Sequence, residues 1–394
     1  MMKYWMVCLV VMGGWVREWK VMGTTKDNVN ANDNSDYFSL LCRIYNVANH
    51  PPIKPVSTKE YQKIVDDINA LSTAANGKER VNTQSEETKS AQTQLIGISQ
   101  EAHKLWDKIK KVNPEGEAEM ARNTLHQVIF GENGQEGDLY HGTLIRAQKR
   151  MAACGSKDKE GTSAGKNLIV DFFCLCANHD DTEGVDRVCG LSVGNCKDSG
   201  WGTNLYPKVT MWDEVKDGCK NVATPGTTST QTGHFVYREF LEKVIAGGKI
   251  KVNKTDTFRI RGILGTAVSK KDKNDLNCNG KREVYSRSSA AGVCVFYGNH
   301  HREDNIAWLK KFKTGLNIID KLNTETATWQ HQLTTLLNRA RELYEKVKAN
   351  TQLEEEDMEE SPLAQHPNSD ENKNADSSTQ SMRHSLLAWA LLLQ

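Results

Sequence analysis

Cysteine is the residue type whose number and spacing carry most chemistry in this sequence. The 394-residue chain contains ten cysteines, and Cys8 lies in an apolar segment at the N-terminus. The other nine are Cys42, Cys154, Cys174, Cys176, Cys189, Cys196, Cys219, Cys278 and Cys294. In an oxidising compartment such a set forms disulfides, whereas in a cytosolic protein the close spacing from Cys174 to Cys196 would suggest zinc. We expect disulfides of undetermined pairing, with the odd cysteine free, hidden or shared with another chain.

Three short motifs have the residue types of ligand sites without the complete pattern. Asp275-Leu-Asn-Cys-Asn-Gly280 begins like an EF-hand loop, but Ser286 stands where the closing glutamate belongs. Gly161-Thr-Ser-Ala-Gly-Lys-Asn167 is one residue too short for a phosphate-binding P-loop and lacks its final hydroxyl. His300, His301 and Glu303 precede a long helical pattern in a polar turn. We interpret all three as turns or exposed loops, and predict no metal, no cofactor and no catalytic residue, so that the protein is not an enzyme.

The N-terminus has the pattern of a secretory signal peptide. Lys3 precedes an apolar segment, residues 4–16, of the expected length. Small residues near Gly23 place the cleavage there, although the charged residues 17–20 are unusual for such a site. We therefore predict that residues 1–23 are a signal peptide.

The C-terminus has the pattern of a glycosylphosphatidylinositol (GPI) anchor signal. Small residues at 377–379 precede a polar spacer to residue 385 and an apolar run, 386–393. This run is too short to span a membrane, which takes about 20 residues. A short last helix packed on a domain would also fit this end alone, but the secretory signal favours the anchor. We predict Ser377 as the anchored residue, with Asp376 or Asn374 as alternatives, and residues 378–394 as removed.

Charge and composition narrow the class of partner. The formal net charge of +1 offers no electrostatic case for binding nucleic acid. The sequon Asn253-Lys-Thr255 predicts N-glycosylation at Asn253 in a secreted chain. Residues 353–377 are acidic and then polar, with few aliphatic residues, which is typical of a disordered stalk.

Hydrophobic periodicity predicts helices at both ends of an ectodomain, residues 24–352. The N-terminal helices cover residues 37–48, 57–71, 95–112, 115–130 and 139–153, the second opened by a capping box from Ser57 to Glu60. The last runs from Glu303 to about Lys348, with polar Asn323, Thr326 and Gln330 near the middle of its apolar seam, where they set the register or admit a bend.

The middle of the chain, about residues 154–294, contains eight of the nine cysteines and frequent glycines. We call this segment the lobe. Residues 168–176 have a β-like pattern, one helix is expected from His234 to Ala246, and the rest reads as loops held by disulfides. The predicted fold is mainly α: an elongated antiparallel helical bundle or coiled coil, into which a disulfide-rich, loop-rich lobe is inserted.

The order of these features resembles the African trypanosome variant surface glycoproteins, especially the type with a B-like N-terminal domain. The resemblance rests on the signal peptide, the helices, the segment Phe172-Phe-Cys-Leu-Cys-Ala177 leading into the cysteine-rich middle, the long return helix and the anchor signal. It covers nearly the whole chain. The chain departs from many relatives because no cysteine follows Cys294, so that a cysteine-rich C-terminal domain is lacking.

The resemblance implies a function for the whole molecule rather than for a site. It implies a homodimer in the outer leaflet of the plasma membrane, held by its lipid anchor beside neighbouring coat molecules. Such a coat shields invariant proteins and supports antigenic variation and evasion of host antibodies. The alternative is a GPI-anchored surface receptor for a host nutrient-carrier protein, since the fold alone does not separate the two functions.

Overall fold

A computed structural model of the chain describes residues 28–77, 85–144, 149–194, 199–202, 206–222, 229–252, 257–270, 275–284, 290–299 and 303–359. The two predicted terminal targeting segments and most of the predicted stalk lie outside the described residues. The predicted sites outside them are Cys196, Asn253, His300, His301 and Ser377.

The structure is mainly helical, as predicted. The helices are α1 (Ser35–Asn49), α2 (Thr58–Asn76), α3 (Glu86–Val112), α4 (Pro114–Phe130), α5 (Arg150–Cys154), α6 (Leu168–Cys176), α7 (Thr210–Lys220), α8 (Thr230–Ala246) and α9 (Ala307–Glu359). The strands are β1 (Gly155–Ser156), β2 (Lys159–Glu160), β3 (Gly248–Lys251), β4 (Thr257–Ile260), β5 (Ile263–Ser269) and β6 (Ala290–Phe296).

Side-chain caps explain where the N-terminal helices begin. Ser57 Oγ accepts the N–H of Glu60 at 3.4 Å, which confirms the predicted start of α2. Asn113 ends α3 in a left-handed conformation, and its Oδ1 accepts the N–H of Gly116 at 3.3 Å in the first turn of α4. Pro114 at the first position of α4 needs no N–H partner, so the chain turns between two helices without an unsatisfied donor.

Helix α9 is the axis of the molecule. It contains 53 residues and is therefore about 80 Å long. Its first quarter, through Ile319, belongs to an apolar cluster shared with the lobe, α1 and α4. A later segment of the helix, from Trp329 to Val347, forms another cluster with α2 and α3. The helix continues beyond residue 353, so the predicted stalk begins as helix.

Asn323 lies between these two clusters and explains the polar position in the predicted seam. Its Nδ2 donates to the carbonyl of Pro52 at 2.9 Å, and its Oδ1 accepts the N–H of Lys54 at 2.9 Å. Both groups belong to the proline-rich connection between α1 and α2. Asn323 therefore fixes this connection at one height on α9.

Two helical glycines allow α9 to pack closely against α4 and α8. A Cβ at Gly315 of α9 would lie 2.7 Å from Leu125 Cδ2 of α4. A Cβ at Gly233 of α8 would lie 2.5 Å from Leu316 Cδ2 of α9. Both contacts are shorter than carbon atoms normally allow, so glycine is required for the helices to approach this closely.

The lobe contains more regular structure than the sequence predicted. The helix expected from His234 is confirmed as α8, but α7 and a four-stranded sheet were read as loops. The strand order is β4-β3-β5-β6, with β3 and β5 parallel and the other neighbours antiparallel. Every residue of β5 and β6 is buried, so neither strand shows the polar–apolar alternation by which strands are recognised.

The prediction of a strand at residues 168–176 was wrong. This segment is helix α6, and all of its residues are buried. Asn167 Oδ1 accepts the N–H of Val170 at 2.9 Å and begins the helix. A short, continuously apolar segment has no periodicity that distinguishes a buried helix from a buried strand.

The helix predicted at residues 139–153 was also largely wrong. Residues 139–144 form turns, and helix appears only in α5, from Arg150. A Cβ at Gly142 would lie 2.2 Å from the carbonyl oxygen of Asn133, so the turn brings two backbone segments together. This close approach of two neighbouring segments, which periodicity cannot reveal, opposes the helix.

Candidate functional site at the junction of the lobe and the long helix

Asp171 is the centre of a buried polar junction between the lobe and α9. Its Oδ1 accepts the backbone N–H of Gly165 at 2.9 Å. Its Oδ2 accepts the phenol O–H of Tyr297 at 2.9 Å and the indole N–H of Trp308 at 2.7 Å. One carboxyl group thus joins α6, the segment after β6 and the first turn of α9.

The apolar surroundings of this carboxyl group determine its protonation. Burial raises the pKa of Asp171 to about 7, although the hydrogen bonds from Gly165, Trp308 and Tyr297 oppose the rise. Burial and the adjacent Asp171 also raise the pKa of Tyr297 well above its usual value, so the phenol remains a donor. Within this junction, the carboxyl group of Asp171 is therefore the group that changes its protonation near neutral pH.

The loop at residues 161–167 belongs to the same junction, and its interpretation as an exposed loop was wrong. Ser163, Ala164 and Gly165 are buried. Gly165 has φ of +70° and accepts the N–H of Trp308 at its carbonyl oxygen, at 3.1 Å. A Cβ at this position would lie 3.0 Å from the Ile306 Cα. The glycine that resembles part of a phosphate loop is thus accounted for by packing against the start of α9.

Arg150 is a second buried polar centre, at the other end of α6. Its Nη1 donates to the carbonyl of Ala177 at 2.6 Å and to that of Trp201 at 3.2 Å, and its Nη2 donates to that of Cys174 at 3.2 Å. A cation is favourable beside the carbonyls that end a helix. Burial lowers the pKa of Arg150 to about 9, and Asp180 opposes the change, so the guanidinium remains charged at neutral pH.

The motif from Asp275 to Gly280 packs against this arginine, in agreement with its interpretation as a turn. Asn279 Oδ1 accepts the N–H of Lys281 at 3.1 Å and that of Gly292 at 3.3 Å. Gly280 has φ of +87°, and a Cβ there would lie 2.5 Å from Arg150 Nη1. The turn uses its amide for backbone contacts and presses its glycine against the guanidinium.

Eight of the predicted cysteines form four disulfides. The pairs are Cys42–Cys219, Cys154–Cys174, Cys176–Cys189 and Cys278–Cys294. The first links α1 to α7 across 177 residues, and the others close short loops of the lobe. Cys174, Cys176 and Cys189, which would be the ligands of a zinc site in a cytosolic protein, are therefore all used in disulfides.

Glu303, a candidate metal ligand by sequence, forms an ion pair with a lysine. Its Oε2 lies 3.1 Å from Lys313 Nζ in α9. The pair stabilises the turn that leads into the long helix, where a carboxylate is favourable. This is the solvated helix start that the sequence predicted.

Asp171 and Arg150 bind backbone groups near the two ends of α6, and four disulfides link the surrounding segments. Together with the long helical bundle, these features define a disulfide-braced helical protein, and such disulfides are typical of an oxidising compartment. Across the part of the chain that the structure describes, no helix combines the length and apolarity needed to cross a membrane.

The family model for the trypanosomal VSG domain matches residues 19–90 and 73–331 of the chain. These matches cover most of the sequence, and the chain belongs to this family, which confirms the resemblance of its motifs. The family consists of surface coat glycoproteins without enzymatic activity. A search among curated proteins found no match.

Proposed function

We propose that this chain is a GPI-anchored variant surface glycoprotein that forms a dense, protective coat and supports immune evasion by antigenic variation. The observation that carries the proposal is the position of the lobe relative to α9. The lobe packs against the start of this 53-residue helix, through Ile319, and the helix then continues for about 60 Å toward its C-terminus.

This geometry suits a molecule that stands on a membrane by its C-terminus. An anchor at Ser377, beyond the end of α9, places the lobe at the outer end, facing solvent and host antibodies. The α2–α3 hairpin packs on the second half of α9 and forms the membrane-proximal part. Neighbouring copies in the coat, together with a homodimeric partner, would cover invariant surface proteins that are shorter than this molecule.

Removal of the lipid tests the anchor directly. Treatment of cells that express the chain with phosphatidylinositol-specific phospholipase C should leave the diacylglycerol in the membrane and release the chain. In mass analysis, the C-terminal peptide of the released chain should end at Ser377 and carry the anchor glycan with its inositol phosphate. Retention on the cell, or a peptide that still contains residues 378–394, would refute the anchor. Light scattering of the released protein should give the mass of a dimer.

Glycosylation and abundance test the remaining parts of the proposal. Glycosidase treatment should lower the intact mass if Asn253 carries an N-glycan, and an unchanged mass would remove that assignment. Millions of copies per cell are expected of a coat, whereas a few hundred would favour the nutrient-carrier receptor.

A further inference from the structure

Three consecutive residues after α6 bring metal-binding atoms together inside the lobe. His179 Nδ1 lies 2.9 Å from Asp180 Oδ1 and 2.8 Å from Asp181 Oδ1. All three ligand atoms lie within 4.8 Å of one another. The side chains of His179 and Asp180 are 0% and 1% exposed, whereas that of Asp181 is 40% exposed.

The imidazole of His179 is not satisfied by the protein groups around it. Neither Nδ1 nor Nε2 makes a hydrogen bond to another described residue. The two carboxylate oxygens are close to Nδ1 but off the direction that a hydrogen bond requires. A buried polar group without a partner costs about 1–3 kcal/mol, so such an arrangement points to a ligand.

The backbone holds the cluster in place from several directions. Asp181 Oδ1 accepts the N–H of Glu183 at 2.7 Å, and the N–H of His179 donates to Asn178 Oδ1 at 2.9 Å. Gly202 covers the other side, because a Cβ there would lie 2.2 Å from Asp180 Oδ1 and 2.5 Å from His179 Nε2. The three side chains are therefore oriented before any ion arrives.

We propose that His179 Nδ1, Asp180 Oδ1 and Asp181 Oδ1 bind one divalent transition-metal ion, with Zn²⁺ as the preferred species. Metal–ligand bonds of about 2.1 Å place neighbouring ligand atoms about 3 Å apart, close to the observed separations. Two carboxylates neutralise the ion, and the exposed side of Asp181 leaves room for water. The imidazole selects a transition metal over Ca²⁺ or Mg²⁺, which prefer oxygen ligands.

The charge of the surroundings is consistent with a neutral imidazole, which is the form that binds metals. Burial and then Arg150 lower the pKa of His179, while Asp181 and Asp180 act in the opposite direction. The site lies directly beyond the carbonyls that Arg150 holds, and between Cys176 and Cys189, which a disulfide joins. A bound ion would tighten this turn of the lobe.

The test measures metal bound to the purified, disulfide-bonded chain. The chain is first alkylated with iodoacetamide, so that no thiol, such as one at Cys196, binds the ion. It is then titrated calorimetrically with ZnCl₂, MnCl₂ and CaCl₂. We expect one Zn²⁺ per chain and a higher melting temperature with Zn²⁺. Asp181→Asn should weaken binding at least ~10-fold.

The control variant removes a similar carboxylate from a site with one fewer ligand. His141 Nδ1 lies 2.6 Å from Asp138 Oδ2, but both side chains are exposed. Asp138→Asn should leave the affinity for Zn²⁺ unchanged. The proposal is overturned if the unsubstituted chain binds no Zn²⁺ at micromolar concentration, if only Ca²⁺ binds, or if Asp181→Asn binds as tightly as the unsubstituted chain.

Cobalt gives a second readout that distinguishes the nitrogen ligand. Co²⁺ bound at this site should show visible absorption bands that shift or disappear in His179→Gln but persist in Asp138→Asn. Identical bands in His179→Gln would exclude the imidazole as a ligand. Because the side chain of Asp181 is partly exposed, Asp181→Asn should fold and keeps the proposal testable even if His179→Gln does not.

Discussion

The indole N–H of Trp308 donates to Asp171 Oδ2 at 2.7 Å, and this contact joins the first turn of the long helix to the central helix of the lobe. Both side chains are fully buried. The Phe240 ring packs edge-on against Trp308 at 4.8 Å between centroids and excludes water from the bond. The lobe is thus attached to α9 by a specific polar contact inside an apolar core.

We expect Asp171→Ala to destabilise the protein by about 3–5 kcal/mol, because it leaves the Gly165, Tyr297 and Trp308 donors buried without an acceptor. Trp308→Phe removes one hydrogen-bond donor and part of the buried apolar area, and should lower the free energy of unfolding by about 2 kcal/mol. Urea unfolding followed by circular dichroism measures both. Asp213→Asn, at an exposed position of α7, is the control and should change stability by less than about 0.5 kcal/mol.

Asp171 also makes stability depend on pH. Its pKa is about 7 in the folded state, above the unfolded value of about 3.9, so the folded state binds this proton more tightly. The stability that this group contributes is complete below about pH 4 and is lost as the pH rises through 7. Asp171→Asn cannot titrate, so the unsubstituted chain should lose stability relative to the variant between pH 4 and pH 7. Parallel curves for the two proteins would contradict the raised pKa.

Replacing two helical glycines by alanine should have opposite effects on stability, because only one of them lies where two helices pack closely. Gly315→Ala should destabilise the protein by about 1–3 kcal/mol, since its Cβ would meet Leu125 at 2.7 Å. Gly97→Ala is the matched control, because that α3 position has no atom within 4 Å of the new Cβ. It should stabilise the protein by about 0.5–1 kcal/mol through helix propensity. Thermal unfolding of both variants tests the packing; stabilisation by Gly315→Ala would refute it.

The disulfides should differ in their contribution according to the loops they close. Cys42–Cys219 spans 177 residues and Cys278–Cys294 spans 16. Loop entropy assigns them about 5 and about 3 kcal/mol, respectively. Replacing both cysteines of the long pair by alanine should therefore cost about 2 kcal/mol more than replacing the short pair. Equal losses in denaturant unfolding would show that native-state effects dominate.

Local signals in the sequence determined the helical framework. The cap at Ser57, the break at Asn113 and Pro114, and the long apolar period of α9 depend on residues a few positions apart. Such signals act within one helix and survive without knowledge of the rest of the fold. The cysteine content likewise indicated an oxidising compartment and disulfides without naming the pairs.

Only the tertiary structure decided the pairings and the interior of the lobe. The helical state of residues 168–176, the partners of Cys42 and the convergence of donors on Asp171 all join segments far apart in the chain. The His-Asp-Asp run at His179 is visible in the sequence, but only the structure shows that its imidazole is buried. Burial and long-range contact remove the periodicity that local reasoning uses, which is why these features could not be predicted from the sequence.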